Sequence, residues 1–466
     1  MNTPRFEHKL ILNSWVLGHF GASRLEDLAK RLREERFEGF TSENRTKYYE
    51  ELVRELFEFN ELGGSNFITH DRLLRYDTNI VHHWKEITRK RNRLGHEVLP
   101  TYFQYLALLF TEIYLEYYFT QRKELLKELN LLVEDFNHSV TKSDELPLYS
   151  ESDLNKLAFW SATGSGKTLL MHVNLSQFKW YHQHYASADD GIDNIILLTP
   201  DERMTEQHLK ELTLSGIQAA HFSGKSYSLF AGSGLPEIVE VLDIHKLQDQ
   251  EGVKTFSVEN FEGKNLVCID EGHRGFSSGK EGAYLTRRDA LCSDGFSFEY
   301  SATFGQAVAN NRKELESTYA KNILFDYSYR YFYSDGYGKD FHILNMEQTV
   351  YSQQLQEYMV AALVSFYQQL RYYEDNKLSL DSFLFEKPLW IFVGSSVIKK
   401  GKSDLSDVAE IVRFLNRFIS NRDHETVQIL KKVLQNKLGL HDKQRNSVFS
   451  DKFPYLAHIY LSLIHI

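Results

Sequence analysis

The chain has 466 residues, 42% hydrophobic and 25% charged, which excludes global disorder or a fibrous repeat and leaves room for about two to three domains. Its net charge of −10 argues against a wholly basic surface for nucleic acid but leaves a local basic groove open. No uncharged stretch approaches the roughly 20 residues of a spanning helix, and the N-terminus lacks a signal pattern, so a cytoplasmic chain with no membrane partner is expected.

Cys268 and Cys292 are too few for a disulfide framework or a four-ligand zinc site and read as reduced core residues. In chain order, residues 9–59 and 80–93 carry helical spacing, as in Leu25, Leu28, Leu32 and Tyr48, Leu52, Leu56. They read as a helical N-terminal extension. Residues 102–119 form a helix apolar almost all round, which the charged stretch after it could extend to about Phe136. A polar connector follows over 137–153.

From Leu154 short apolar runs alternate with helical segments. Strands are expected at 157–160, 194–199, 218–222, 238–242, 266–269 and 296–300, and helices at 167–184 and 206–215. Such alternation predicts an α/β fold with a parallel sheet covered by helices on both faces. Residues 260–264 read as a turn and 327–340 as an aromatic connector, in which Gly336 and Gly338 suit a hinge. A second alternation is expected from strand 341–345 through helix 353–373 and strand 388–393 to helix 404–419.

Ser161-Ala162-Thr163-Gly164-Ser165-Gly166-Lys167-Thr168 sits between an apolar strand and a helix. Small residues let backbone N–H groups close round a phosphate, and the helix N-terminus adds its dipole. Lys167 would reach the β and γ phosphates of ATP and Thr168 would ligate Mg²⁺. The strict pattern has Gly where Ser161 stands, so the match is to the form with a relaxed first position. About a hundred residues on, Leu266–Ile269 runs into Asp270-Glu271-Gly272-His273. A buried strand that delivers two carboxylates at its C-terminal end suits an open α/β sheet, with Asp270 on Mg²⁺ and Glu271 on the attacking water.

Taken in order, Ala162–Thr168, Asp270–His273 and Ser301-Ala302-Thr303 resemble motifs I, II and III of superfamily 2 helicases and translocases. The finer resemblance is to the ATPase part of type III restriction-enzyme subunits and related phage-defence proteins. It rests on 196–200, on Asp243–Leu247 and on the Phe-rich strand 296–301. The resemblance implies a RecA-like sheet, ATP and Mg²⁺ as cofactors, and DNA as partner, with a methyltransferase or specificity subunit beside it. It implies that Ser301 and Thr303, touched by His273, couple nucleotide state to nucleic-acid grip. Thr199, Pro200 and Arg203 would line the nucleic-acid path, and Gln104, after Phe103, resembles the glutamine that reads adenine.

The resulting division is 1–100 as helical extension, 101–335 as first RecA-like ATP-binding domain, and 336–466 as linker and incomplete second RecA-like lobe. No Gln-x-x-Gly-Arg-x-x-Arg pattern supplies an arginine finger. Leu461–Ile466 is similar to one reading frame of a transposon-end sequencing adapter, so these residues are expected to be assembly read-through and the natural gene to continue. The expected activity is an ATP-dependent DNA helicase or translocase, the fragment by itself hydrolysing ATP poorly. The rivals are an RNA or repair helicase and a non-catalytic ATP-binding switch. The adjacent His82 and His83 point in different directions on a helix and read as packed or surface residues. Glu262-Gly263-Lys264 is too short to count as a nuclease pattern.

Overall fold

The structure is a computed structural model that describes residues 5–59, 65–93, 95, 97–187, 190–222, 235–248, 256–257, 263–272, 288–309, 313–338, 348–381, 385–392, 407–420, 424–435, 437 and 453–456. The chain divides into two compact units, Met1–Lys339 and Asp340–Ile466.

In the first unit the helical spacing near the N-terminus resolves into short helices rather than one rod: α1 (Ile11–Gly18), α2 (Leu25–Leu32) and α3 (Lys47–Val53). Local acceptors restart the chain each time. The Asp27 carboxylate takes the N–H groups of Ser23 and Arg24 before α2, and the Thr46 hydroxyl takes that of Tyr49 in α3. Helix α4 (His70–Asn92) begins ten residues before the expected 80, capped by the Thr69 hydroxyl, which accepts from Arg72 N. The predicted long aromatic helix is α5 (Tyr102–Thr120), buried on nearly every side. It does not run on to Phe136. Gln121, at φ −141° and ψ 38°, breaks it and starts a separate helix, α6 (Arg122–Ser139).

Burial of α5 brings its two acids into the core, and each is matched by donors. Glu112 accepts from Asn79, Gln177 and Tyr181, while Glu116 accepts from Arg72, Arg75 and Tyr76. These bonds tie α5 to α4 and to α7 (Lys167–Tyr185). His82 lies exposed beside Glu86, whereas His83 is buried with neither ring nitrogen hydrogen-bonded among the described residues.

Burial first, and His82 second, push the His83 imidazole down to about 4 from 6.5. The fold therefore holds it neutral while the unfolded chain takes a proton below 6.5. Its contribution is intact above pH 6.5 and is lost as pH falls toward 4, on the order of 3 kcal/mol at full extent. His83→Leu should flatten the loss of melting temperature between pH 6.5 and 4.5. Equal slopes in the variant and the parent would count against this account.

The sheet has seven strands, all parallel: β1 (Lys156–Ser161), β2 (Asn194–Thr199), β3 (Ala219–His221), β4 (Val239–Asp243), β7 (Asn265–Asp270), β8 (Gly295–Ser301) and β9 (Ile323–Tyr327), in the order β3-β4-β2-β7-β8-β1-β9. Between β4 and β7, β5 (Leu247–Gln248) and β6 (Phe256–Ser257) form a separate parallel pair. Alternate residues go to opposite faces. Leu157, Phe159, Ile195, Leu197, Leu266 and Cys268 join the core that also holds α5 and the N-terminal helices. On the other face Ile196, Leu198, Val267 and Ile269 form one cluster, and Ala158 and Trp160 another with Phe304 and Tyr319. Both faces are covered, as the apolar runs require, so the fold is α/β and RecA-like with a helical N-terminal region. Cys268 and Cys292 are free and buried.

Strand β9 was not anticipated, and the supposed connector after it is ordered. Residues Tyr329–Ser334 form a helix, and Asp335 accepts hydrogen bonds from Tyr102 and from Tyr327 at 2.7 Å. Strand β9 pairs with β1 and so lies inside the first unit.

In the second unit the described residues are helical at Gln348–Asp375, Lys377–Leu380, Asp407–Ser420 and His424–Leu434. A small core gathers Val360, Ala361, Val364, Ile429, Val433, Phe453 and Leu456. The expected strand at 388–393 is not formed over 388–392, where the chain pairs with no sheet and Leu389 and Ile391 stay largely exposed. An isolated apolar run has no ladder partner there, so composition alone does not make it a strand. The expected strand 341–345, the turn residues 260–262 and Leu461–Ile466 lie outside the described residues. No described helix is long and apolar enough to cross a membrane.

Candidate functional site

The parallel register brings the sequence motifs to one edge. Trp160 is level with Ser301, Ser161 with Tyr327, and Asp270 with Tyr300, so the carboxyl ends of β7, β8 and β1 stand side by side. Ligands of open α/β sheets bind at this edge.

After β1 the chain turns through Gly164 (φ +90°) and Gly166 (φ +84°), left-handed positions that suit only glycine well. Ala162 N donates to Tyr327 O at 2.9 Å and Ser165 N to Ala162 O at 3.2 Å, which fixes the loop to β9 and to itself. Thr163 and Gly164 form the exposed tip. Lys167 and Thr168 open α7, half-buried, with Lys167 Nζ 3.4 Å from Ser161 O. The N–H groups of Lys167 and Thr168 make no backbone hydrogen bond among the described residues, so the helix start presents donors as an anion cradle would. A glycine-turned loop, a lysine and a free helix start fit the triphosphate of ATP. Thr168 and Asp270 fit Mg²⁺ by their hard oxygen chemistry.

Gln104 serves this loop from behind. Its Nε2 donates to Ser165 O at 2.9 Å and its Oε1 accepts from Thr101 N at 3.0 Å. A Cβ on Gly166 would meet that amide at 2.4 Å, so glycine is needed here for close approach as well as for φ. The side chain expected to face adenine is thus buried and braces the loop. Phe332, from the unanticipated aromatic helix, stands beside the tip, 3.5 Å from where a Cβ on Gly164 would be.

Asp270 ends β7 with its Oδ1 accepting from Glu271 N at 3.1 Å and its Oδ2 2.9 Å from His208 Nε2. Glu271 has φ +55°, one of two non-glycine residues with positive φ among the described residues. Gly272 N donates to Tyr300 O at 3.0 Å, and Gly272 O accepts from Arg288 at 2.8 Å. Arg288 is buried 3.6 Å from the equally buried Glu299, which also accepts from Tyr319 at 2.9 Å. This ion pair anchors the turn after Glu271. Arg288→Met would strand Glu299 without its counter-charge, and a stability loss of about 3–5 kcal/mol is expected in chemical denaturation. A loss under about 1 kcal/mol would remove the anchoring role.

Ser301 is fully buried, its Oγ accepting from Thr303 N at 3.0 Å, and Thr303 Oγ1 is buried without a hydrogen-bond partner among the described residues. His273 lies outside the described residues. Of the three residues placed on a nucleic-acid path, Thr199 and Pro200 are buried, and the Thr199 hydroxyl is spent on Thr205, at 2.6 Å, and on Leu242 O. Arg203 is exposed in the first turn of α8 (Glu202–Leu214). That helix starts four residues before the expected 206, because the Asp201 carboxylate caps it by accepting from Met204 N at 2.9 Å. Lys264 sits at the opposite, amino end of the strands, its N–H bonded to Asp193.

Sequence reading did not single out His208, Arg288, Glu299 or Tyr319. Each is one ordinary residue in a helix or strand, and only the fold brings them to the motifs.

The fold and this edge define an α/β protein of the RecA-like type with the elements of a nucleotide site. Residues 120–306 match the model of the family described as type III restriction enzyme, res subunit, the ATPase region of superfamily 2 helicases. The matched stretch contains the P-loop, Asp270-Glu271 and Ser301–Thr303 and leaves out Gln104. It marks this part of the chain as a helicase-like ATPase region of the restriction-enzyme family. No match to the chain was found among curated proteins.

Proposed function

We propose that the protein is an ATP-dependent DNA translocase or helicase of a restriction or phage-defence system, working beside a methyltransferase or specificity subunit. The observation that carries this reading is the gathering of Lys167, Asp270, Glu271 and Ser301 at adjacent strand ends within the matched region. Lys167 and the first N–H groups of α7 bind the phosphates and orient the terminal one. Mg²⁺, when bound, supplies charge neutralisation at the β and γ oxygens, held by Thr168 and Asp270. Glu271 orients the attacking water and accepts its proton. Ser301 and Thr303, on the strand between the two motifs, are placed to sense the change and pass it on, with Arg203 as the exposed cation toward DNA.

Phosphate release by the full chain, with and without double-stranded DNA, tests this reading. Stimulation by DNA is expected. Stimulation by RNA alone would point to an RNA helicase instead. ATP binding with no turnover under any nucleic acid would favour the switch.

A further inference from the structure

His208 and His172 are both buried and neither has a role in the chemistry above. Their hydrogen bonds can be followed outward from two ends. At one end the Asp270 carboxylate only accepts, so His208 Nε2, 2.9 Å away, carries a hydrogen. In an imidazole Nδ1 is then the acceptor, and His208 Nδ1 is buried with no hydrogen-bond partner among the described residues. At the other end Arg91, on α4, only donates. Its Nη1 gives a hydrogen bond to Ser215 Oγ at 2.8 Å, and the same guanidinium is fixed by the Glu211 carboxylate and by Glu211 O. The Ser215 hydroxyl then directs its own proton to His172 Nδ1, 2.7 Å away. Burial first, then His208 and Arg91, push His172 down to about 3, so the ring is neutral. With Nδ1 accepting, its hydrogen is on Nε2, which is likewise buried without a partner among the described residues. The two orphan nitrogens are one donor and one acceptor, on rings that feel each other electrostatically.

We propose that His208 is a positioning residue for Asp270, and that the line Arg91–Ser215–His172–His208 fixes its tautomer and couples helix α4 of the N-terminal region to the carboxyl edge of the sheet. The metal half of this rests on the reading of Asp270 as a magnesium ligand. A carboxylate held from behind is ready for the cation, as metal ligands generally are through the groups that orient them. Displacement along the seam of α4 and α8, where Lys90 also donates to Thr213 O at 2.6 Å, removes the donor that orders the line.

The test uses the full chain in two measurements. Long-range ¹H–¹⁵N spectra of histidine-labelled protein should show His172 and His208 each as a single neutral Nε2–H tautomer, and Arg91→Met should bring in the Nδ1–H form at His172. A His172 that is Nδ1–H in the parent, or unmoved by Arg91→Met, overturns the line. Mn²⁺ binding in the presence of ADP, followed by electron paramagnetic resonance, should weaken about tenfold in His208→Ala and return to within about threefold in His208→Gln, whose amide donor reaches the same place. Metal-free ADP binding should stay unchanged in both. Parental Mn²⁺ affinity in His208→Ala overturns the positioning role. Failure of the parent to bind ADP and Mn²⁺, with the tautomers as expected, instead overturns the nucleotide reading and the role at Asp270 while the hydrogen-bonded line stands.

Discussion

Lys167→Ala should abolish measurable ATP binding, a loss of at least about a hundredfold, or about 3 kcal/mol. The ammonium sits half-buried at the start of α7, and its recorded contact is one long hydrogen bond, 3.4 Å, to Ser161 O. Little of the fold depends on that bond, so the melting temperature should hardly move. The charge would be exchanged for a triphosphate's, in a loop where the helix start and the glycine turns already favour an anion. Binding loss with stability retained separates a phosphate contact from a structural lysine. Unchanged affinity in a nucleotide titration would remove the P-loop assignment and with it the proposed activity.

Glu271→Gln should retain ATP binding and lower hydrolysis by about 10²- to 10⁴-fold. The backbone supplies a reason beyond the motif. A left-handed φ of +55° costs a glutamate on the order of 1 kcal/mol that glycine would not incur, and strain of this kind persists where surrounding structure enforces it. Here Asp270 Oδ1 holds Glu271 N, and the next residue is bound from both sides, its N–H to Tyr300 and its carbonyl to Arg288. The turn is therefore set on either flank of the acid. Hydrolysis equal to the parent's in single-turnover measurement would take the water-orienting role from Glu271 and favour the switch reading.

Much of the fold was legible because the first unit's sheet is buried on both faces. Strands β1, β2, β7 and β8 are continuous apolar runs of about five residues, which in a chain of alternating helices leave few other readings. The P-loop was legible for a local reason: its glycines, lysine and threonine act within one turn of backbone. What failed was also physical. Residues 388–392 carry strand composition, yet a strand is a paired object and no neighbour is recorded for it. Strand β9 was read as part of a connector, because its aromatic residues and the following glycines do not alternate in hydrophobicity. Its place is earned by pairing with β1 and by Phe103 stacking on Tyr327 at 4.0 Å. Thr199 and Gln104 were placed by motif, but their hydrogen bonds turn them inward, to Thr205 and to Ser165.

The sequence by itself determined the α/β class, the phosphate loop and the acidic pair, since each depends on residues adjacent in the chain and on backbone geometry that small residues or apolar runs impose. The tertiary structure alone decided what stands behind those groups. His208 lies 62 positions before Asp270, and Gln104 lies 61 before Ser165. Arg91 is 124 before Ser215, and Arg288 reaches back 16 to Gly272. None of these partners carries a local signature, because a buried donor is chosen by the acceptor that the fold brings to it.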